Sequence, residues 1–120
     1  MRDYTKIEAW RLADDLTVAV YERTRCFPRE EIYGLTSQLR RAAYSVPANI
    51  VEGSSRKGRR EFRRFLDISV ASLSELEYAL EVANALGYVA AEAYAALEVQ
   101  QRRTRYMAWK LHGSLRDAGP

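Results

Sequence analysis

The sequence predicts an all-α fold, an antiparallel up-down-up-down four-helix bundle formed by a single domain over residues 1–120. Three observations point there. Apolar residues recur three and four apart through four long segments. No segment shows the two-residue alternation of a strand. Short breaks rich in Pro and Gly separate the segments, so successive helices must fold back on one another.

The first helix is expected over about residues 6–26, opened by a capping box in which Thr5 and Glu8 satisfy each other's backbone donors. Ile7, Trp10, Ala13, Leu16 or Thr17, and Val20 form its apolar face, and Phe27-Pro28 ends it. The second is expected over about residues 30–52, with Ile32, Leu35, Leu39, Ala42, Val46 and Asn49 inward and Gly34 allowing close packing near its start. The third spans about residues 59–86. Its face is Phe62, Phe65, Leu66, Ser69, Leu73, Leu76, Leu80 and Ala83, and Gly87 suits its C-terminal stop. The fourth spans about residues 91–116, with Tyr94, Leu97, Gln101, Thr104, Ala108, Leu111 and Leu115 inward. Residues 117–120 read as a frayed tail.

A second apolar stripe exceeds what a lone bundle needs. Val18, Tyr21, Ile68, Val70, Val82, Tyr88, Val99, Tyr106 and Trp109 fall outside the inward faces, which predicts burial against further copies of the chain. No run approaches ~18 uncharged apolar residues, so no membrane span is expected. The N-terminus lacks the apolar core of a signal peptide, and the single Cys26 excludes an internal disulfide. A cytoplasmic protein is the simplest expectation.

Charge is unevenly placed. Arg56, Lys57, Arg59, Arg60, Arg63 and Arg64 stand against Glu61 alone, giving +5 in a chain whose net charge is +3; the remainder sums to −2. The cations cluster at the start of a helix, where the macrodipole disfavours them. Arg59 and Arg63, like Arg60 and Arg64, also repel at i,i+4. Residues that weaken their own helix suggest another use, and a phosphate backbone fits: the expected partner is RNA or DNA, bound without sequence reading. The competing class is a purely structural or protein-interaction oligomer.

Just before this run, Pro47 removes a donor to the Ala43 carbonyl and should kink or loosen the second helix. Asn49 falls on the inward stripe and needs partners, with Ser45, a backbone group of a facing helix, Ser69 or Ser72 as candidates. Gln38, Arg41, Ser45 and Glu52 line a neighbouring polar stripe, so that with Asn49 they form a candidate polar network. The segments Gln38-x-Arg40-Arg41-Ala42, Ser45-Val46-Pro47-x-Asn49-Ile50-x-Glu52-Gly53, Glu61-Phe62-x-x-Phe65-Leu66 and Ser72-Leu73-x-Glu75-Leu76-Glu77 resemble the S23-like, or ribosomal RNA intervening-sequence protein, family. Phe27-Pro28 and Glu31-x-x-Gly34-Leu35 extend the resemblance over nearly the whole chain. It implies a four-helix bundle assembled as a ring-like homopentamer, encoded in intervening sequences of bacterial large-subunit ribosomal RNA genes or elsewhere on the chromosome, with no established biochemical role. It also implies a distant likeness to the accessory protein of diversity-generating retroelements, a basic pentamer that binds nucleic acid and a reverse transcriptase. One departure is Ala71, where glycine is expected before Ser72; its methyl should open a close helix contact.

Enzyme patterns are weak. The spacing from Gly53 to Gly58 matches a P-loop, but Arg59 and Arg60 replace its Lys and Ser/Thr and no strand precedes it. A di-iron site needs Glu-x-x-His pairs, and His112 is the sole histidine. Arg105-x6-His112 fits the loose pattern of HEPN ribonucleases, although two turns separate the pair by about 10.5 Å. No catalytic residue, metal or cofactor is expected.

Overall fold

In a computed structural model, which describes residues 2–116, the apolar stripes close on one another as α1 (Glu8–Thr24), α2 (Leu35–Ser54), α3 (Arg59–Ala85) and α4 (Ala91–Ser114). The expected tail at residues 117–120 lies outside the described residues. Side-chain contacts fix the directions. Thr17 meets Ala43 while Arg40 meets Thr24, Ser45 meets Ser72 while Val46 meets Ser69, and Asp67 meets His112 while Ser74 meets Arg105, so each helix runs antiparallel to the last. α1 and α3 each pack against α2 and α4, the α2–α3 seam is the most extensive, and the bundle measures 50 × 23 × 23 Å.

Every residue assigned to the inward face of α3 is buried. So are Ala13, Leu16 and Val20 of α1, Leu39, Val46 and Ile50 of α2, and Leu97 and Ala108 of α4. Ile32 departs from the expected stripe and is 54% exposed, because α2 begins only at Leu35. A single 3₁₀ turn, Arg29–Glu31, occupies the preceding segment. The Glu31 carboxylate accepts from the Leu35 backbone N–H at 3.1 Å, doing for α2 what Gly34 as N-cap cannot. Glu31 also accepts from the Tyr88 hydroxyl, and the Tyr88 ring leans on Phe27 at 5.5 Å. Tyr88 therefore closes the bundle's end and does not belong to the outer stripe.

The capping box expected at Thr5 is absent. Asp3 accepts from the Thr5 backbone N–H and hydroxyl to cap a 3₁₀ turn, Tyr4–Lys6, and α1 starts behind it with no side-chain cap at Ile7. Glu8 pairs with Arg11 at 2.6 Å. At the far end of α3 the expected stop is present. Gly87 has φ +78, its N–H reaches the Asn84 carbonyl and the Tyr88 N–H reaches Ala83, which together make a Schellman motif. Ala71 faces solvent within the chain, so its methyl opens no contact between these helices.

α2 continues through Pro47 to Ser54 as an unbroken helix. The Ala43 carbonyl that Pro47 leaves without an amide lies 2.9 Å from the Thr17 hydroxyl of α1, which also sits 2.8 Å from the Ala13 carbonyl. The Thr17 hydroxyl, its one proton shared between the two carbonyls, is thus the donor that a neighbouring helix offers in place of the missing amide. Gly53, just past the expected end of the second helix at residue 52, lies inside α2. A Cβ there would stand 2.8 Å from Phe62 Cδ1 and 2.9 Å from Phe65 Cβ, so glycine is what lets α2 and α3 converge. Ser54 and Ser55 hydroxyls then donate to the Val51 and Glu52 carbonyls, closing the helix end.

Candidate nucleic-acid interface

The convergence at Gly53 sets the position of the basic run. Residues 55–58 make a tight connection in which Gly58 takes φ +79, a conformation open to glycine, and α3 begins with Arg59. Two of the six cations are held. Arg56 lies 3.3 Å from Glu52 and Arg64 lies 3.2 Å from Glu61, and their guanidinium groups stand 5.0 and 4.7 Å from the Phe65 ring. The Arg64 hydrogen bond, joined by the charges of Arg64, Arg56 and Arg60 and opposed by burial, holds the Glu61 carboxyl below its ordinary value. Lys57, Arg59, Arg60 and Arg63 form no ion pair among the described residues. Arg2 adds a seventh cation at this end: it donates to the Arg56 carbonyl at 3.0 Å and lies over the Phe62 ring.

The last turns of α4 bring Lys110, and Arg116 just beyond them, toward the same end, while Arg102, Arg103 and Arg105 sit at mid-bundle, where Arg105 reaches Ser74 and Glu77 of α3. Residues 99–116 contain Arg102, Arg103, Arg105, Lys110 and Arg116 and no acid, whereas residues 65–101 contain six acids and no cation. Folded back as an antiparallel hairpin, α3 and α4 are basic at their open end and acidic toward the connection at Gly87. Sequence reading by contiguous runs misses this contribution, because Lys110 and Arg116 stand apart in sequence; a charge count aligned on the hairpin would find it. Between the helices lies a groove of about 620 Å³ lined by Arg60, Glu61, Arg63, Arg64, Asp67 and His112. His112 Nε2 is 3.0 Å from Asp67, and the Trp109 ring meets the imidazole edge-on at 5.6 Å while remaining 51% exposed.

The candidate polar network divides. Asn49 Nδ2 donates to the Ser45 carbonyl at 2.8 Å and reaches Ser45 Oγ at 3.0 Å; Ser45 Oγ shares a hydrogen bond with Ser72 at 2.7 Å. Ser69 donates instead to the Val46 carbonyl. Asn49 is half-buried at the margin of the stripe, and Ile50 takes the inward position. Gln38 and Arg41 are exposed and line a second groove, of about 500 Å³, together with Ser45, Ser72 and Glu75. Glu52 stands apart, with Arg56. Arg105 and His112 are also separated: Arg105 reaches Ser74 and Glu77, seven and ten residues beyond the Asp67 that His112 reaches, ~10 to 15 Å along α3.

No helix among the described residues is long and apolar enough to cross a membrane. The architecture is similar to that in the crystal structure of a protein of unknown function from the S23 ribosomal protein family of Bacteroides thetaiotaomicron. The TM-score is 0.76 at 20% identity, over 86% of this chain and 96% of that one, a likeness of fold. No curated protein matches the chain. The family model of the 23S rRNA-intervening sequence protein matches residues 5–110, from the first 3₁₀ turn to near the end of α4. The chain belongs to the 23S rRNA-intervening sequence protein family.

Proposed function

We propose that this protein is a non-enzymatic, cytoplasmic, self-assembling bundle whose basic end binds the phosphate backbone of RNA or DNA, alone or within a nucleoprotein. The observation that carries this is the basic run at the α2–α3 connection, at the end of the bundle that Lys110 and Arg116 also approach, with Lys57, Arg59, Arg60 and Arg63 left unpaired among the described residues. Arginine side chains placed against their own helix dipole and against one another are better explained by an external anion than by the fold. Tyr44, Ile68 and Tyr78, each more than a third exposed, support assembly with further copies, and a ring of five is the arrangement expected. A ring would repeat the basic end and raise avidity.

Binding is measured by fluorescence anisotropy with labelled oligonucleotides across salt concentrations. If four cations neutralise four phosphates, affinity for a single strand falls about 50-fold between ~50 and ~200 mM salt. Changing Lys57, Arg59, Arg60 and Arg63 together to glutamine flattens that dependence while helicity is retained. Absence of binding at low salt, with assembly intact, would establish the interaction-scaffold role instead.

A further inference from the structure

Resting on that reading, we infer that the basic end is built for single-stranded nucleic acid, with Trp109 as a stacking platform for an unpaired base beside the α3–α4 groove. The groove's two acids are already engaged, Glu61 by Arg64 and Asp67 by His112. Arg60 and Arg63 are left to face an incoming phosphate. Trp109 is coupled to this groove through His112, which lines it and meets the indole edge-on. Half of the Trp109 surface stays open to solvent. One turn earlier on α4, Tyr106 is 62% exposed, with the Lys110 ammonium 5.6 Å from its ring centre.

Cations tracking a backbone next to open aromatic faces are the combination that holds single strands. Every base has a π-face, and base–aromatic stacking does not depend on sequence. A duplex offers the same phosphates but keeps its bases stacked inside, so it can use the arginines and not the indole. The chemistry thus separates two contributions: charge, shared by all nucleic acids, and stacking, reserved for unpaired bases.

The test compares single-stranded RNA, single-stranded DNA and a duplex of the same sequence, using the full chain at low salt. Trp109→Ala should weaken binding of either single strand about 5- to 150-fold and leave the duplex unchanged. Trp109→Phe should restore most of the loss. In a Trp10→Phe background, single strands should quench the remaining Trp109 fluorescence and the duplex should not. Equal losses for strand and duplex, no loss for either, or a changed oligomer size in Trp109→Ala with no quenching would overturn the stacking role, while a preserved salt dependence would leave the cationic interface standing. Failure of all three probes to bind would overturn both.

Discussion

Replacing Thr17 by valine tests how the bundle tolerates a proline inside α2. Thr17 is 9% exposed, and its hydroxyl stands 2.9 Å from the Ala43 carbonyl, whose helical donor Pro47 cannot supply. Valine has nearly the same shape, so the substitution leaves the packing and removes the donor. A buried carbonyl without a partner costs about 1–3 kcal/mol. For a chain of this length that corresponds to a fall in Tm of about 4 °C per kcal/mol. Pro47→Ala returns an N–H to residue 47, which can reach Ala43 by the ordinary helical bond. The loss of ring contacts and of chain stiffness in Pro47→Ala is present with either residue at 17, so it cancels in a double-mutant cycle. The expected result is that Thr17→Val costs about 1–3 kcal/mol with Pro47 in place and clearly less in the Pro47→Ala background, a coupling of about 1–2 kcal/mol. The assay is urea denaturation followed by circular dichroism at fixed chain concentration, since assembly makes apparent stability concentration-dependent. Equal costs in the two backgrounds would show that Thr17 packs beside Ala43 without replacing the lost donor.

Two further outcomes follow from the packing. Gly53→Ala places a methyl 2.8 Å from the Phe62 ring and 2.9 Å from Phe65 Cβ, so it should destabilise the bundle by about 1–3 kcal/mol in the same assay. A neutral substitution would mean that the α2–α3 seam relaxes without cost. Gln101 is 4% exposed and its Oε1 has no hydrogen-bond partner among the described residues, so Gln101→Leu should raise Tm by about 4 °C or more. A lowered Tm would show that the amide is satisfied in solution.

The four helices are legible because a long amphipathic stripe at helical spacing fits no strand or loop. The α3 face repeats three and four apart from Phe62 to Ala83, and no local feature competes with it. Gly87 is legible because a glycine that follows such a stripe suits a left-handed cap. Helix starts are harder. Thr5 and Glu8 have the spacing of a capping box, yet Asp3 takes the Thr5 N–H and Arg11 takes Glu8. The cap of α2 comes from Glu31, a residue in a separate 3₁₀ turn, and the period extrapolated back to Ile32 belongs to no helix. The proline's effect on Ala43 is foreseeable, but the Thr17 hydroxyl that answers it comes from another helix, and no local pattern encodes that pairing. The basic run of residues 56–64 is visible at a glance. Its continuation on α4, and the placing of Trp109 beside it, depend on the antiparallel register that joins His112 to Asp67.

The surface that meets nucleic acid is tested most directly by ultraviolet cross-linking of the assembled protein to a single-stranded oligonucleotide, followed by mass-spectrometric mapping of the linked peptides. Cross-links should fall in residues 55–64 and in the last turns of α4, with Trp109 among the linked residues, and should disappear when Lys57, Arg59, Arg60 and Arg63 are changed to glutamine. Cross-links concentrated around the acidic connection at Gly87, or unaffected by those four substitutions, would contradict the assignment of the basic end as the binding surface.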